Sequence, residues 1–193
     1  WIINLNTVKY SQTMFANRVY EIQAMGSLLL SNYSLGINNY FPNVNLIFDK
    51  NEVKYIVNNL TEYELYRHRM YGVRQVFRSH TTYHRISDML NKIGINNDFM
   101  DDKKLVVVVK EKNDHVINMF NRQSYPNKTL LTLEEASNTT SNFDFLTFFD
   151  STSDYGEYYL EDMVNAFKYV DVSFVTKHSY YNNSAKIEGV END

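Results

Sequence analysis

The sequence predicts an α/β fold: a mostly parallel-sheet half-domain joined to a second small α/β unit. Three observations carry this. Strand-sized apolar runs alternate with segments whose apolar residues recur at helical spacing. The run Ser27-Leu28-Leu29-Leu30-Ser31 is apolar without alternation, as in a parallel strand covered on both faces. And the strand–helix pattern restarts at Leu105 after a polar, charged stretch. Alternating strands and helices imply right-handed βαβ units.

Ile2 to Leu5 reads as a short strand. Ser11 and Thr13 are candidate N-caps for a helix carrying Met14, Val19, Ile22 and Met25, and Gly26 ends it. After the Ser27–Ser31 strand, Asn32 to Asn39 is a loop turned by Gly36, and Asn45 to Phe48 a third strand. Glu52 to Leu60 is a helix, and Glu62 to Leu90 a longer helical stretch with breaks expected near Gly72 and Ser79. Residues 94–104 form the linker. In the second half, Leu105 to Val109, Leu130 to Leu133, Phe145 to Phe149 and Val172 to Thr176 read as strands. His115 to Gln123 and Tyr159 to Tyr169 read as helices, Glu134 to Asn142 as a polar connector, and 182–193 as a polar tail.

Composition narrows the function. A net charge of -4 argues against a nucleic-acid binder. The absence of Cys removes disulfides, thiolate zinc sites and a Cys nucleophile. No apolar run approaches the ~18 residues of a membrane span. The chain opens at Trp1 on a strand, which is expected of a piece of a longer protein.

The run Thr13 to Asn32 contains Arg18, Glu21, Ala24 and Gly26 in an R-x-x-E-x-x-A-x-G pattern, followed by an apolar strand, Asn32-Tyr33-Ser34-Leu35-Gly36 and Phe41-Pro42-Asn43. Over residues 1–93 this resembles the C-terminal, donor-binding domain of GT-B glycosyltransferases (glycosyl transferases group 1), in the branch with the CgeB-like spore proteins. The resemblance implies a Rossmann-like half-domain that binds a nucleotide sugar, a UDP-sugar above all. Glu21 would then accept from the ribose hydroxyls, with Arg18, Gly26, Asn32 and Ser34 around the donor. Basic side chains and helix ends would stabilise the leaving diphosphate, with no metal required. Thr13 stands where many relatives carry a further Glu. The general base would belong to an N-terminal domain ahead of Trp1. The basic strip Arg67, His68, Arg69, Arg74, Arg78, His80, His84 and Arg85 reads as a solvated helix face.

The second half, residues 105–181, carries Arg122-Gln123-Ser124-Tyr125-Pro126-Asn127-Lys128 and a helix with Tyr159, Leu160, Asp162, Ala166, Phe167 and Tyr169. These resemble family 2 glycosyltransferases of the GT-A type, in shortened form. In such enzymes clustered aspartates hold Mg²⁺ or Mn²⁺ against the donor diphosphate. Here the matching stretch is Asp150-Ser151-Thr152-Ser153-Asp154-Tyr155-Gly156, so Asp150 and Asp154 are the candidate metal ligands, in a worn cluster. A plain reading makes the same stretch a turn that caps the next helix. The two resemblances together imply transfer of a sugar to a cell-surface polysaccharide or teichoic-acid-type acceptor, in the cytoplasm or peripherally at the inner membrane face. The alternative is a non-catalytic module that binds a glycan or a partner protein.

Overall fold

A computed structural model describes residues 1–98, 103–138, 142–177, 179–182 and 185–188. It divides into two compact units, Trp1–Met100 and Asp101–Asp193. Positions 99–102 of the expected linker, and 183–184 and 189–193 of the expected tail, lie outside the described residues.

The first unit holds β1 (Ile2–Asn4), α1 (Arg18–Ala24), β2 (Leu29–Asn32), α2 (Leu35–Tyr40), β3 (Asn45–Ile47), α3 (Lys50–Asn59), α4 (Glu62–Ser79) and α5 (Thr82–Lys92). Its sheet is parallel throughout, in the order β1-β2-β3. Val19 and Ile22 of α1, Leu29 of β2, Ile37 and Phe41 around α2, Val44 and Val76 of α4 close one core. Apolar burial of this kind contributes roughly 25 cal/mol per Å² and is what holds such short elements in place.

Local chemistry sets the boundaries. Gly26 has φ +64°, and the Gly26 and Ser27 N–H groups donate to the carbonyls of Gln23 and Ile22 at 3.0 and 3.1 Å. This paired closure needs a residue without Cβ strain at the left-handed position. Helix α1 starts only at Arg18, later than Ser11 or Thr13 would place it, because Ser11 Oγ instead accepts from the Thr13 and Met14 N–H groups in a turn. Capping boxes start α3 (Asp49 with Glu52) and α4 (Thr61 with Glu64). Gly72 does not break α4. The break falls at His80 and Thr81, where Thr81 caps α5 with His84. The expected Asn32–Asn39 loop contains α2, and Gly36 serves there as a close-approach residue. A Cβ would stand 2.5 Å from the Gln12 carbonyl oxygen and 2.6 Å from the Phe15 ring.

The second unit holds β4 (Leu105–Val109), α6 (Asp114–Asn121), β5 (Lys128–Thr132), α7 (Leu133–Asn138), β6 (Phe145–Phe148), α8 (Tyr159–Ala166), β7 (Ser179–Asn182) and β8 (Ala185–Glu188). A parallel sheet runs in the order β5-β4-β6, and β7 and β8 pair antiparallel. Central β4 is buried at every position, which explains its unbroken Leu-Val-Val-Val-Val run. Its core joins Leu105, Val107 and Val109 to Val116, Met119, Phe149, Leu160 and Val164.

Three expectations change in this unit. Val172 to Thr176 forms no strand. Val172 and Phe174 are exposed there, and Ser173 to Val175 border a hollow beside β6 without pairing to it, so β-propensity is not realised. The final pairing uses Ser179–Asn182 instead, and the expected tail is structured where described: Asn182 ends β7 and Ala185–Glu188 form its partner strand, β8. The polar connector contains the short helix α7. Among the described residues, no helix is long and apolar enough to cross a membrane.

Candidate functional site

In an open parallel sheet, ligands gather outside the carboxyl ends of the strands. In the first unit that edge is a web of amides and hydroxyls. Asn4, fully buried at the end of β1, donates from Nδ2 to Ser31 Oγ at 3.2 Å. Asn6 donates to the same hydroxyl at 3.0 Å. The Asn6 N–H donates to Asn32 Oδ1 at 2.7 Å, and Asn32 Nδ2 donates back to the Asn6 carbonyl at 2.8 Å. Each side chain lies within hydrogen-bond range, so the strand ends are tied without a ligand.

Arg18 opens α1 immediately above this web. Its Nε donates to Asn4 Oδ1 at 2.8 Å. Its terminal nitrogens have no partner among the described residues. One helical turn on, the exposed Glu21 carboxylate also makes no hydrogen bond or ion pair among the described residues. Arg18 and Glu21 therefore share a face but do not pair with each other.

The remaining candidates separate from these two. Asn32 is committed to Asn6. Ser34 is fully buried, and its Oγ has no partner among the described residues. The N–H groups of Leu35 and Gly36, which open α2, already donate to the carbonyls of Lys9 and Ser11 at 2.8 and 3.2 Å. The β1–α1 loop thus occupies that helix start. Gly26 lies at the far end of α1, where β2 begins, and works as a helix terminus. The structure brings together Arg18, Asn4, Asn6, Ser31 and Asn32, leaves Glu21 exposed beside them, and sets Gly26 apart.

Residues 1–91 match the family described as glycosyl transferase-like. No curated protein and no solved structure matches the chain. The glycosyl transferase-like segment runs from β1 into α5 and includes the whole Arg18–Asn4 edge. The match supports a role in glycosyl transfer.

The basic strip of the glycosyl transferase-like segment is partly structural. His80 contacts the rings of Tyr20, Tyr40 and Phe41 at 5.4, 5.2 and 5.6 Å. Burial, with Arg85 and His84 nearby, pushes its pKa down from 6.5 to about 4, so the ring is neutral. Arg85 donates to His80 Nδ1 at 2.8 Å. His84 contacts Thr81 and the Arg78 carbonyl, both at 2.6 Å. On the other side of α4, Gln23 Oε1 accepts from Asn43 Nδ2 at 2.7 Å, and Asn43 Nδ2 also donates to the His68 carbonyl at 3.0 Å. Periodicity alone showed Gln23 only as a helix residue. Its burial follows from the glycine opposite, Gly72, which leaves room for the amide.

In the second unit, Asp150 and Asp154 follow β6 at its carboxyl end. Asp150 folds back on its own turn. Its carboxylate accepts from the Thr152 N–H and hydroxyl at 3.0 and 2.8 Å. Those bonds hold the carboxyl below its usual pKa. Asp154 pairs with Arg122 at 3.1 Å. Among the described residues, no three acidic or imidazole groups gather as a metal would need. Hard divalent ions want six or more oxygens, several of them from carboxylates free to turn.

The Arg122–Lys128 motif is tied down by its own contacts. Arg122 donates to the Tyr155 carbonyl at 2.7 Å. Gln123, buried, donates to the Gly156 carbonyl at 2.8 Å and accepts from the Leu160 N–H at 3.1 Å. It therefore caps α8 from a distant part of the chain. Ser124 bonds Glu161, Tyr125 reaches the Lys103 carbonyl at 2.7 Å, and Lys128 donates to the carbonyls of Gln123 and Tyr125 at 2.8 Å. The Asp150–Gly156 turn does not cap α8 with a side chain; Gln123 does that work.

Proposed function

We propose that residues 1–91 hold a nucleotide-sugar donor, a UDP-sugar, for transfer to a cell-surface polysaccharide or teichoic-acid-type acceptor. One observation supports this most. Arg18 is fixed through Nε to buried Asn4 at the carboxyl edge of the sheet, while its terminal nitrogens and the Glu21 carboxylate one turn away stay unpartnered among the described residues. A guanidinium held by one nitrogen is oriented before ligand arrives, which lowers the cost of binding a diphosphate bidentately. The adjacent carboxylate suits the vicinal hydroxyls of a ribose. Arg18 would offset charge on the departing nucleoside diphosphate, so this part requires no metal. Asn32 and Ser34 support the loop around the donor, and Gly26 supports the helix that carries Arg18 and Glu21.

Calorimetric titration of the chain with UDP-glucose and UDP-N-acetylglucosamine tests the reading. Glu21→Ala and Arg18→Ala should each weaken binding about 10- to 100-fold, the loss of one charge-assisted contact. Absence of binding to either compound, or binding indifferent to both substitutions, refutes it.

A second reading is favoured for residues 105–181 by the engagement of Asp150 with Thr152 and of Asp154 with Arg122. This unit would act as a non-catalytic module for a glycan or partner protein, with Mg²⁺ or Mn²⁺ binding lost. Saturable Mn²⁺ binding below millimolar concentration, abolished by Asp150→Asn, would overturn that view.

A further inference from the structure

A hollow of about 360 Å³ opens in the first unit, lined by none of the residues of the Arg18 edge. Helix α2 leads from the carboxyl end of β2 to the amino end of β3, so the Pro42–Asn43 turn after it lies at the opposite end of the sheet. Pro42 and Asn43 form one wall. Glu64, Arg67, His68 and Tyr71, at successive turns of one α4 face, form the other.

Each of these side chains is held or left available in a particular way. His68 Nδ1 lies 2.6 Å from the Asn43 carbonyl, an acceptor, so that nitrogen carries a proton. In the neutral ring, Nε2 is then a bare acceptor, and it has no partner among the described residues. Glu64 uses Oε2 on the Thr61 N–H and hydroxyl, which keeps it below its usual pKa and leaves Oε1 free. Arg67 makes no hydrogen bond or ion pair among the described residues, and stands 5.8 Å from the centre of the Tyr63 ring. Tyr71 is 43% exposed and lines the hollow, and its hydroxyl has no hydrogen-bond partner among the described residues.

We infer that this hollow binds one sugar unit of a neutral glycan. The charge balance selects the class. A phosphate or carboxylate would meet Arg67 but also the ionised Glu64, and a cation would meet the reverse. A polyol loses nothing to either, because its hydroxyls donate to Glu64 Oε1 and His68 Nε2 and accept from Arg67. The Tyr71 ring and the Pro42 ring offer apolar surface to the C–H face of a pyranose. The hollow shares no lining residue with the Arg18 edge, so a protein could grip a polymer here while reacting elsewhere.

The test is amide-resolved NMR of the full 193-residue chain, titrated separately with maltohexaose, chitopentaose and inorganic phosphate. Saturable shifts with either oligosaccharide, centred on Asn43, Arg67, His68 and Tyr71, are expected. Arg67→Ala and Tyr71→Ala should weaken them by about tenfold or more. Both positions are exposed, so the amide spectrum should stay native, and Tyr71→Phe should retain most of the binding. Glu21→Ala and Arg18→Ala should leave the glycan response unchanged, which separates this inference from the donor-site reading. Failure of both oligosaccharides to shift these residues overturns the inference. So does a response to phosphate alone, or shifts that survive both Ala substitutions.

Discussion

Gly72→Ala sets two effects of opposite sign against each other. In an exposed helix the change stabilises by about 1 kcal/mol. At this position a Cβ would stand 1.9 Å from Gln23 Oε1 and 2.9 Å from its Cδ. Gln23 is only 2% exposed and accepts from Asn43 Nδ2 at 2.7 Å, so its amide has nowhere to swing without breaking that bond. An unpaired buried carbonyl costs about 1–3 kcal/mol and forced overpacking a further 1–3 kcal/mol. The net expectation is destabilisation by roughly 2–3 kcal/mol. Trp1, the single tryptophan, lies in the first unit and reports its unfolding by fluorescence. With a urea m-value of about 1–2 kcal/mol/M, the midpoint should fall by about 1–3 M. Adding Gln23→Ala to Gly72→Ala should recover part of the loss, because the new methyl then has space. A midpoint unchanged or raised by Gly72→Ala alone would show that the α1–α4 contact is not as tight as the amide placement requires.

Gln123→Ala strips the cap from α8 and frees the Gly156 carbonyl, and should cost about 2–4 kcal/mol in chemical denaturation of the second unit. Gln123→Glu should be worse, since it sets a carboxylate oxygen against the Gly156 and Tyr155 carbonyls. Unfolded His80 takes up a proton near pH 6.5, whereas the folded ring resists until about 4. Between those values the unfolded chain binds more protons, so stability falls as pH drops through that window. His80→Phe should remove about 1–2 kcal/mol of that decline, allowing for solvent screening, in thermal melts at pH 7 and pH 4.5. Millimolar Mg²⁺ or Mn²⁺ should leave the melting temperature of the wild-type chain unchanged, with Asp150 and Asp154 both engaged.

The β-strands of the parallel cores were legible in the sequence wherever burial was two-sided. Leu28 to Leu30 and Leu105 to Val109 have no polar alternation because neither face meets water. The strand at Val172 to Thr176 misled because β-propensity describes fit to a paired neighbour, and this segment lines a hollow beside β6 without pairing to it. Helix starts were legible at Glu62 and Tyr159, and the α1 end at Gly26, but the residue that caps α8 was not, because Gln123 reaches it from a distant part of the chain. At the candidate site, the Arg18 and Glu21 spacing could be read from helical periodicity. Asn4, Asn6 and Ser31 could not, because their importance depends on strand register: Ile3 beside Leu30 brings Asn4 level with Ser31. The amide–histidine network of Gln23, Asn43 and His68 depends likewise on a helix crossing that no window of sequence contains.

The knotted turn from Arg122 to Lys128 bears on how such chains drift. Selection against misfolding alone is enough to retain residues that brace one another across thirty positions or more, whether or not a reaction is under way. A motif of that kind can outlast the chemistry it accompanies in other proteins. Its presence in a chain is then testimony about shape, and turnover must be judged from groups that the architecture can spare.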